Sequence, residues 1–170
     1  MRGLKLAIFS AAILFSMHSF AAKEVINRCD VDNNCVKLAE ALYFEARGES
    51  KKGIIAVGQV IVNRTEREAF KDTVVEVVEE KKWNGSKWVC QFSYICKMMN
   101  SNKPLQMKKE RANQMKIIAR GVLDGIYPDY SNGADHFISS KIGIPSWAKK
   151  MALVSDIGGH IFLDSTKKSI

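Results

Sequence analysis

The segment Gly53-Ile54-Ile55-Ala56-Val57-Gly58-Gln59-Val60-Ile61-Val62 constrains this chain most, because read as a helix it is apolar on nearly every side. A helix apolar all round is the buried one of its domain. Ser50 stands ahead of it as an N-cap, offering its hydroxyl to a free backbone N–H of the first turn. Gly58 lowers helix propensity mid-segment, which points to close packing against a neighbour.

Elements to wrap this helix can be read on both sides. From Cys35, Val36, Ala39, Tyr43 and Ala46 recur at three- and four-residue steps, widened by Leu38 and Leu42, predicting a helix that stops at Gly48. Asp72 to Glu79 is valine-rich and reads as helix or strand. Residues 81–103 read as irregular, and residues 22–34 as a polar surface lead-in. Pro104 opens an amphipathic helix with Leu105, Ala112, Met115, Ala119 and Val122 on one face, ending at Gly125. Gly133 to Ile138 and Gly158 to Leu163 read as short strands flanking a loop with Pro145 and Trp147. The fold class is α+β, mainly α, with a small β portion late in the chain.

The N-terminus reads as an export signal. Arg2 and Lys5 precede an apolar run from Leu6 to Met17, and Ser19-Phe20-Ala21 has the small-x-small form of a cleavage site. The run is shorter than the roughly 20 residues a membrane span needs. Cleavage after Ala21 assigns residues 1–21 to a signal peptide and leaves 22–170, about 150 residues, as a single domain. The chain is therefore expected in the periplasm or outside the cell, touching the membrane only during export, and as a monomer. The full chain's +8 charge, less the two positive charges Arg2 and Lys5 of the signal, leaves +6, which suits an anionic partner such as a wall polymer, a membrane surface or nucleic acid.

Export gives meaning to the four cysteines, Cys29, Cys35, Cys90 and Cys96, since an even count outside the cytoplasm favours disulfides. Four cysteines allow three pairings. The two C-x5-C spacings make Cys29–Cys35 and Cys90–Cys96 the simplest, with crossed pairing open. Zinc is not expected: the spacing is wrong, and His136 and His160 lie far along the chain. No other metal and no cofactor is implied.

Chemistry concentrates in Tyr43-Phe44-Glu45-Ala46-Arg47-Gly48-Glu49. Glu45 falls in the last turn of its helix, where the negative dipole end disfavours a carboxylate, and Tyr43 and Phe44 can shield it from water. Arg47 acts in the opposite direction. A carboxylic acid kept protonated near neutrality is what protonating a glycosidic oxygen requires. The alternative is a solvated Glu–Arg helix end. Glu49 is a candidate second carboxylate, but a stop at Gly48 leaves the separation of the two unreadable, and with it the stereochemical outcome.

Six segments in order resemble one family, the SleB-type cell wall hydrolases. They are LAEALYFEARGES (38–50), GIIAVGQVIVNR (53–64), CQFSYIC (90–96), GADHFIS (133–139), PSWAKKM (145–151) and IGGHIFL (157–163), within a core of 35–163. The resemblance implies a lysozyme-like, lytic-transglycosylase-like domain. It would cleave the peptidoglycan glycan strand between N-acetylmuramic acid and N-acetylglucosamine, as a lytic transglycosylase or an N-acetylmuramidase. The family's catalytic glutamate is the first of EARGE, matching Glu45; Glu49 fills the second position. Two features depart from the pattern: the last block ends Phe162-Leu163, and Lys81 to Lys87 and Lys103 to Lys109 are rich in lysine.

Other residues are assigned by chemistry. Gln91 and Ser93 can hydrogen-bond sugar hydroxyls and acetamido groups, while Phe92 and Tyr94 offer apolar faces to pyranose rings; the alternative is a disulfide-pinned structural loop with Phe92 in the core. Tyr43 is a further candidate substrate contact. His136, on the opposite strand face from Phe137, can line a cleft. Trp147 is a sugar-stacking platform or a core plug. Asn63 and His160 read as structural. Two other functions compete: a non-catalytic peptidoglycan-binding or wall-assembly protein on the same fold, and a cationic nucleic-acid binder. The intact EARGE and QFS segments argue against the first. The second is disfavoured because the chain has no phosphate loop, metal-binding carboxylate cluster or nucleic-acid motif, so no nucleic acid is expected.

Overall fold

The computed structural model describes residues 19–101 and 105–168. Most of the proposed signal peptide, and Pro104, therefore lie outside the described residues. Residues 19–30 are helical (α1), so the surface lead-in expected over 22–34 is largely a helix. There follow α2 (Asn33–Ala46), α3 (Lys51–Thr65), α4 (Val74–Glu79), a hairpin of β1 (Lys81–Trp83) and β2 (Trp88–Cys90), α5 (Ser93–Met99) and α6 (Lys109–Leu123). The chain ends in a three-stranded antiparallel sheet, β3 (His136–Ser139), β4 (Met151–Ile157) and β5 (His160–Lys168), in the order β3-β5-β4.

α3 is the buried centre. Ser50 Oγ caps it by accepting from Gly53 N at 3.2 Å, and Ile54, Val57, Val60 and Ile61 are at most 2 % exposed. Each such side chain contributes about 1.5–3 kcal/mol by leaving water. α2 and α6 approach it at Gly58, where an added Cβ would meet Val122 Cγ2 at 3.3 Å and Leu42 Cδ2 at 3.5 Å. The polar residues of α3 pin the loop entering the sheet. Gln59 donates to Pro128 O at 2.8 Å and accepts from Tyr130 N at 2.9 Å; Asn63 donates to Ala134 O at 2.8 Å.

Two disulfides join neighbours in the chain. Cys29–Cys35 ties α1 to the start of α2, and Cys90–Cys96 ties β2 to α5. Asp32 caps α2 by accepting from Asn34 N and Cys35 N, while Asp32 Oδ2 holds Arg120 of α6 at 2.8 Å.

Candidate active site

Glu45 sits in the last turn of α2, one residue before the helix ends at Ala46. It is half-buried and lines two cavities at once. One, about 390 Å³, is lined by Phe44, Arg47, Ser93, Tyr94, Lys97, Leu105 and Gln106. The other, about 470 Å³, is walled by Glu49, Phe137, Ser139, Lys141, Gly159 and His160. Glu45 and its helix end thus divide a groove between α5 on one side and the sheet on the other.

Burial raises the pKa of Glu45 and the positive charge of Lys97 opposes it. The opposing cation is not Arg47, as the sequence suggested. Arg47 instead lies over the Tyr43 ring, its guanidinium carbon 5.0 Å from the centroid. Phe44 shields the acid by stacking on Tyr94, centroids 4.7 Å apart at 25°.

Glu49 faces the same cavity as Glu45, but its carboxylate is already engaged. Oε2 accepts from Gly159 N at 2.8 Å, across the turn between β4 and β5. The two turn glycines make this seat possible: Gly158 takes φ +63°, and a Cβ on Gly159 would stand 2.8 Å from Oε1. His160, read from sequence as structural, lines that cavity too. Burial lowers its pKa, Glu49 opposes that effect, and its Nδ1 has no hydrogen-bond partner among the described residues. Its ring meets Phe137 edge-on at 5.3 Å.

The other expected substrate contacts divide. Ser93 is exposed and lines the α5 cavity with Glu45. Phe92 does not offer a face to sugar: it is 3 % exposed, packed into the core where α5 begins. Tyr43 is 4 % exposed, and its hydroxyl accepts from Lys108 N at 3.0 Å. It anchors the chain that carries Leu105 and Gln106 rather than reaching into the groove. Gln91, with its amide oxygen turned inward, accepts from Arg64 Nη1 at 3.0 Å and Nη2 at 3.3 Å. His136 and Trp147 lie together, ring centroids 5.7 Å apart, and line neither cavity. Trp147 is 54 % exposed, which removes the core-plug alternative.

His136 instead belongs to a polar cluster under the sheet. Asp135 is fully buried and takes Arg67 Nη1 at 2.5 Å, Ser165 N at 2.9 Å and His136 Nδ1 at 2.8 Å. The Ser165 hydroxyl donates to its Oδ2 as well. Burial works against the charge on Asp135, yet the bonds from His136 and Ser165 hold its carboxyl far below the usual carboxylate range. Arg67 also reaches Asp164 at 3.1 Å, and Arg64 donates to Asp135 O at 2.6 Å. This cluster locks β3 and β5 to the end of α3.

Comparison with known proteins bears on the fold and the family. The spore cortex-lytic enzyme of Halalkalibacterium halodurans is 29 % identical over 132 residues, 77 % of this chain, and the match spans only 34 % of that enzyme's length. The catalytic domain of the germination-specific lytic transglycosylase SleB from Bacillus anthracis superposes with a TM-score of 0.56 at 27 % identity, covering 78 % of this chain and 96 % of that one. The catalytic domain of Bacillus cereus SleB gives the same TM-score at 25 % identity, covering 78 % and 91 %. These neighbours share the lysozyme-like α+β fold expected from the sequence. A family model described as Cell Wall Hydrolase matches residues 48–163, beginning just after Glu45 and including Glu49 and His160. The chain belongs to the cell wall hydrolase family.

Proposed function

We propose that this chain is an exported peptidoglycan glycosidase that cuts between N-acetylmuramic acid and N-acetylglucosamine, with Glu45 as its single acid/base. The supporting observation is the seat of Glu45: it alone lines both cavities of the groove, and burial favours its protonated form. Protonated Glu45 gives its proton to the bridging oxygen as the C1–O bond breaks. The carboxylate left behind then takes a proton from the group attacking C1. If that group is the sugar's own 6-hydroxyl, the product is an anhydro-muramoyl end; if it is water, the product is a reducing end.

Glu49 holds the β4–β5 turn, and with it His160, against the end of α2. A buried His160 with lowered pKa is neutral at pH 7, so it brings no positive charge that would favour ionising Glu45. Ser93 is placed for a sugar hydroxyl or acetamido group. The protein works as a monomer in the periplasm or outside the cell, after loss of residues 1–21.

Purified protein and its Glu45→Gln variant would be incubated with isolated sacculi and the released fragments weighed. Anhydro-muramic ends identify a lytic transglycosylase and reducing muramic ends a muramidase. Equal release by the Gln variant removes Glu45 from the mechanism, and cuts confined to peptide bonds overturn the glycosidase assignment.

A further inference from the structure

The β1–β2 hairpin carries an exposed aromatic pair outside the groove. Trp83 and Trp88 face each other in register, ring centroids 5.7 Å apart at 65°, and are 56 % and 47 % exposed. Single exposed apolar residues are ordinary, but two adjacent indoles leave a large apolar surface in water. Their support is rigid. Asn84 Oδ1 accepts from Ser86 N at 3.1 Å and Lys87 N at 2.9 Å, closing the turn, and Cys90–Cys96 ties the hairpin to α5.

Beside the pair lies a cavity of about 280 Å³, lined by Trp83, Lys87 and Trp88 from the hairpin and by Cys96, Met99 and Asn100 from α5 and its end. The same helix walls the Glu45 groove with Ser93, Tyr94 and Lys97. The two cavities therefore flank one two-turn helix. Lys81 adds positive charge, its ammonium 5.4 Å from the Trp88 centroid. Aromatic faces beside an amide and ammonium groups suit a pyranose ring bearing acetamido and carboxylate groups.

We propose that this hairpin cavity is an accessory subsite for the glycan strand. It rests on the glycosidase reading above and extends the groove across α5. A sugar lying beyond the Glu45 cleft stacks on Trp83 or Trp88, Asn100 meets its polar substituents, and Lys81 and Lys87 face the acidic groups of the wall. A partly polar cavity on the far side of the helix that walls the groove favours a glycan over a lipid surface.

The test measures binding to isolated sacculi by co-sedimentation, in the Glu45→Gln background so that nothing is digested. Trp83→Ala and Trp88→Ala are each expected to weaken binding about tenfold, the loss expected of one aromatic anchor. Trp83→Phe and Trp88→Phe keep a ring and are expected to retain most of it, which separates stacking from misfolding. With Glu45 intact, the Ala variants should lose less activity on a short glycan than on whole sacculi, because a shorter strand depends less on a contact beyond the cleft. Unchanged sacculus binding in both Ala variants overturns the subsite. So does tryptophan-dependent binding to phosphatidylglycerol vesicles with sacculus binding intact, which would make the hairpin a membrane contact. An active Glu45→Gln protein would sink the acid/base assignment instead, and the tryptophans would still be scored by binding.

Discussion

Glu45 and Asp135 are both carboxylic acids drawn out of water by the same domain, and the fold pushes them in opposite directions. Asp135 is the more buried, yet its pKa falls, because His136 and Ser165 hydrogen-bond its charge and Arg67 pairs with it. Glu45 is only half-buried, yet its pKa rises, because burial outweighs the opposing positive charge of Lys97. Depth is therefore a poor guide to protonation; what matters is whether partners replace the lost water. One acid is a lock and the other has a proton to give.

Exchanging each acid for its amide should separate these roles. Glu45→Gln is expected to lower glycan cleavage about 10²–10⁴-fold, the span of a general acid's contribution, without lowering the melting temperature. Asp135→Asn should do the reverse, since it removes the buried charge that Arg67, His136 and Ser165 share and leaves Arg67 only the Asp164 carboxylate: about 3 kcal/mol of stability lost, read by urea unfolding. Should Asp135→Asn fold as well as the parent, the lock is misassigned. The lock is also expected to show in pH. A depressed folded pKa gives stability that is complete above the unfolded value and lost as pH falls through the folded one, so unfolding should accelerate under acid. Asp164, which Thr166, Lys167 and Arg67 bring down to about 2 against its burial, adds to the same acid-side loss.

The two walls of the groove compare in the same way. The sheet wall is held by the Asp135 cluster, whereas the α5 wall depends on Cys90–Cys96, close to the chain's surface. Separating those cysteines as Cys90→Ser with Cys96→Ser should cost about 2 kcal/mol by the loop-entropy relation for so short a loop. Its effect on activity should exceed its effect on the sheet, because Ser93 and Lys97 ride on α5. Hydrogen exchange of α5 and β5 amides would show which wall loosens.

Much of this was readable where the chemistry is local. The all-round apolar pattern located α3 and the three- and four-residue steps located α2, while the C-x5-C spacings favoured the observed disulfide pairing without excluding a crossed one. The helix end and the aromatics around Glu45 pointed to a raised pKa, but with Arg47 beside it in the chain the net direction stayed open until burial and Lys97 were seen. The hairpin and α5 escaped because strands of three residues are too short to alternate, and α5 has Phe92 as its N-cap, with no side-chain capping bond. Bulges at Met151/Ala152 and Leu153/Ser155 blurred β4. Gln91 was read as a sugar contact because nothing local announces Arg64. Asp135 was overlooked for its neighbour His136, since a buried carboxylate's partners come from distant segments.

The smallest effect tests the comparison at its finest point, the cation facing Glu45. If Lys97 is what keeps the acidity of Glu45 from weakening further, Lys97→Met removes an opposing charge and leaves burial unopposed. The Glu45 pKa then rises again. A general acid must be protonated to act, so activity is lost as pH passes above its pKa. The variant should therefore hold its activity to higher pH than the parent, with the alkaline limb of the kcat profile displaced upward and little change on the plateau. Methionine keeps the length and apolar stem of lysine, so α5 should pack as before. A limb that stays in place would mean that a group other than Glu45 sets it. A limb that moves downward would mean that Lys97 makes Glu45 a weaker acid, the reverse of the sign expected from a nearby positive charge.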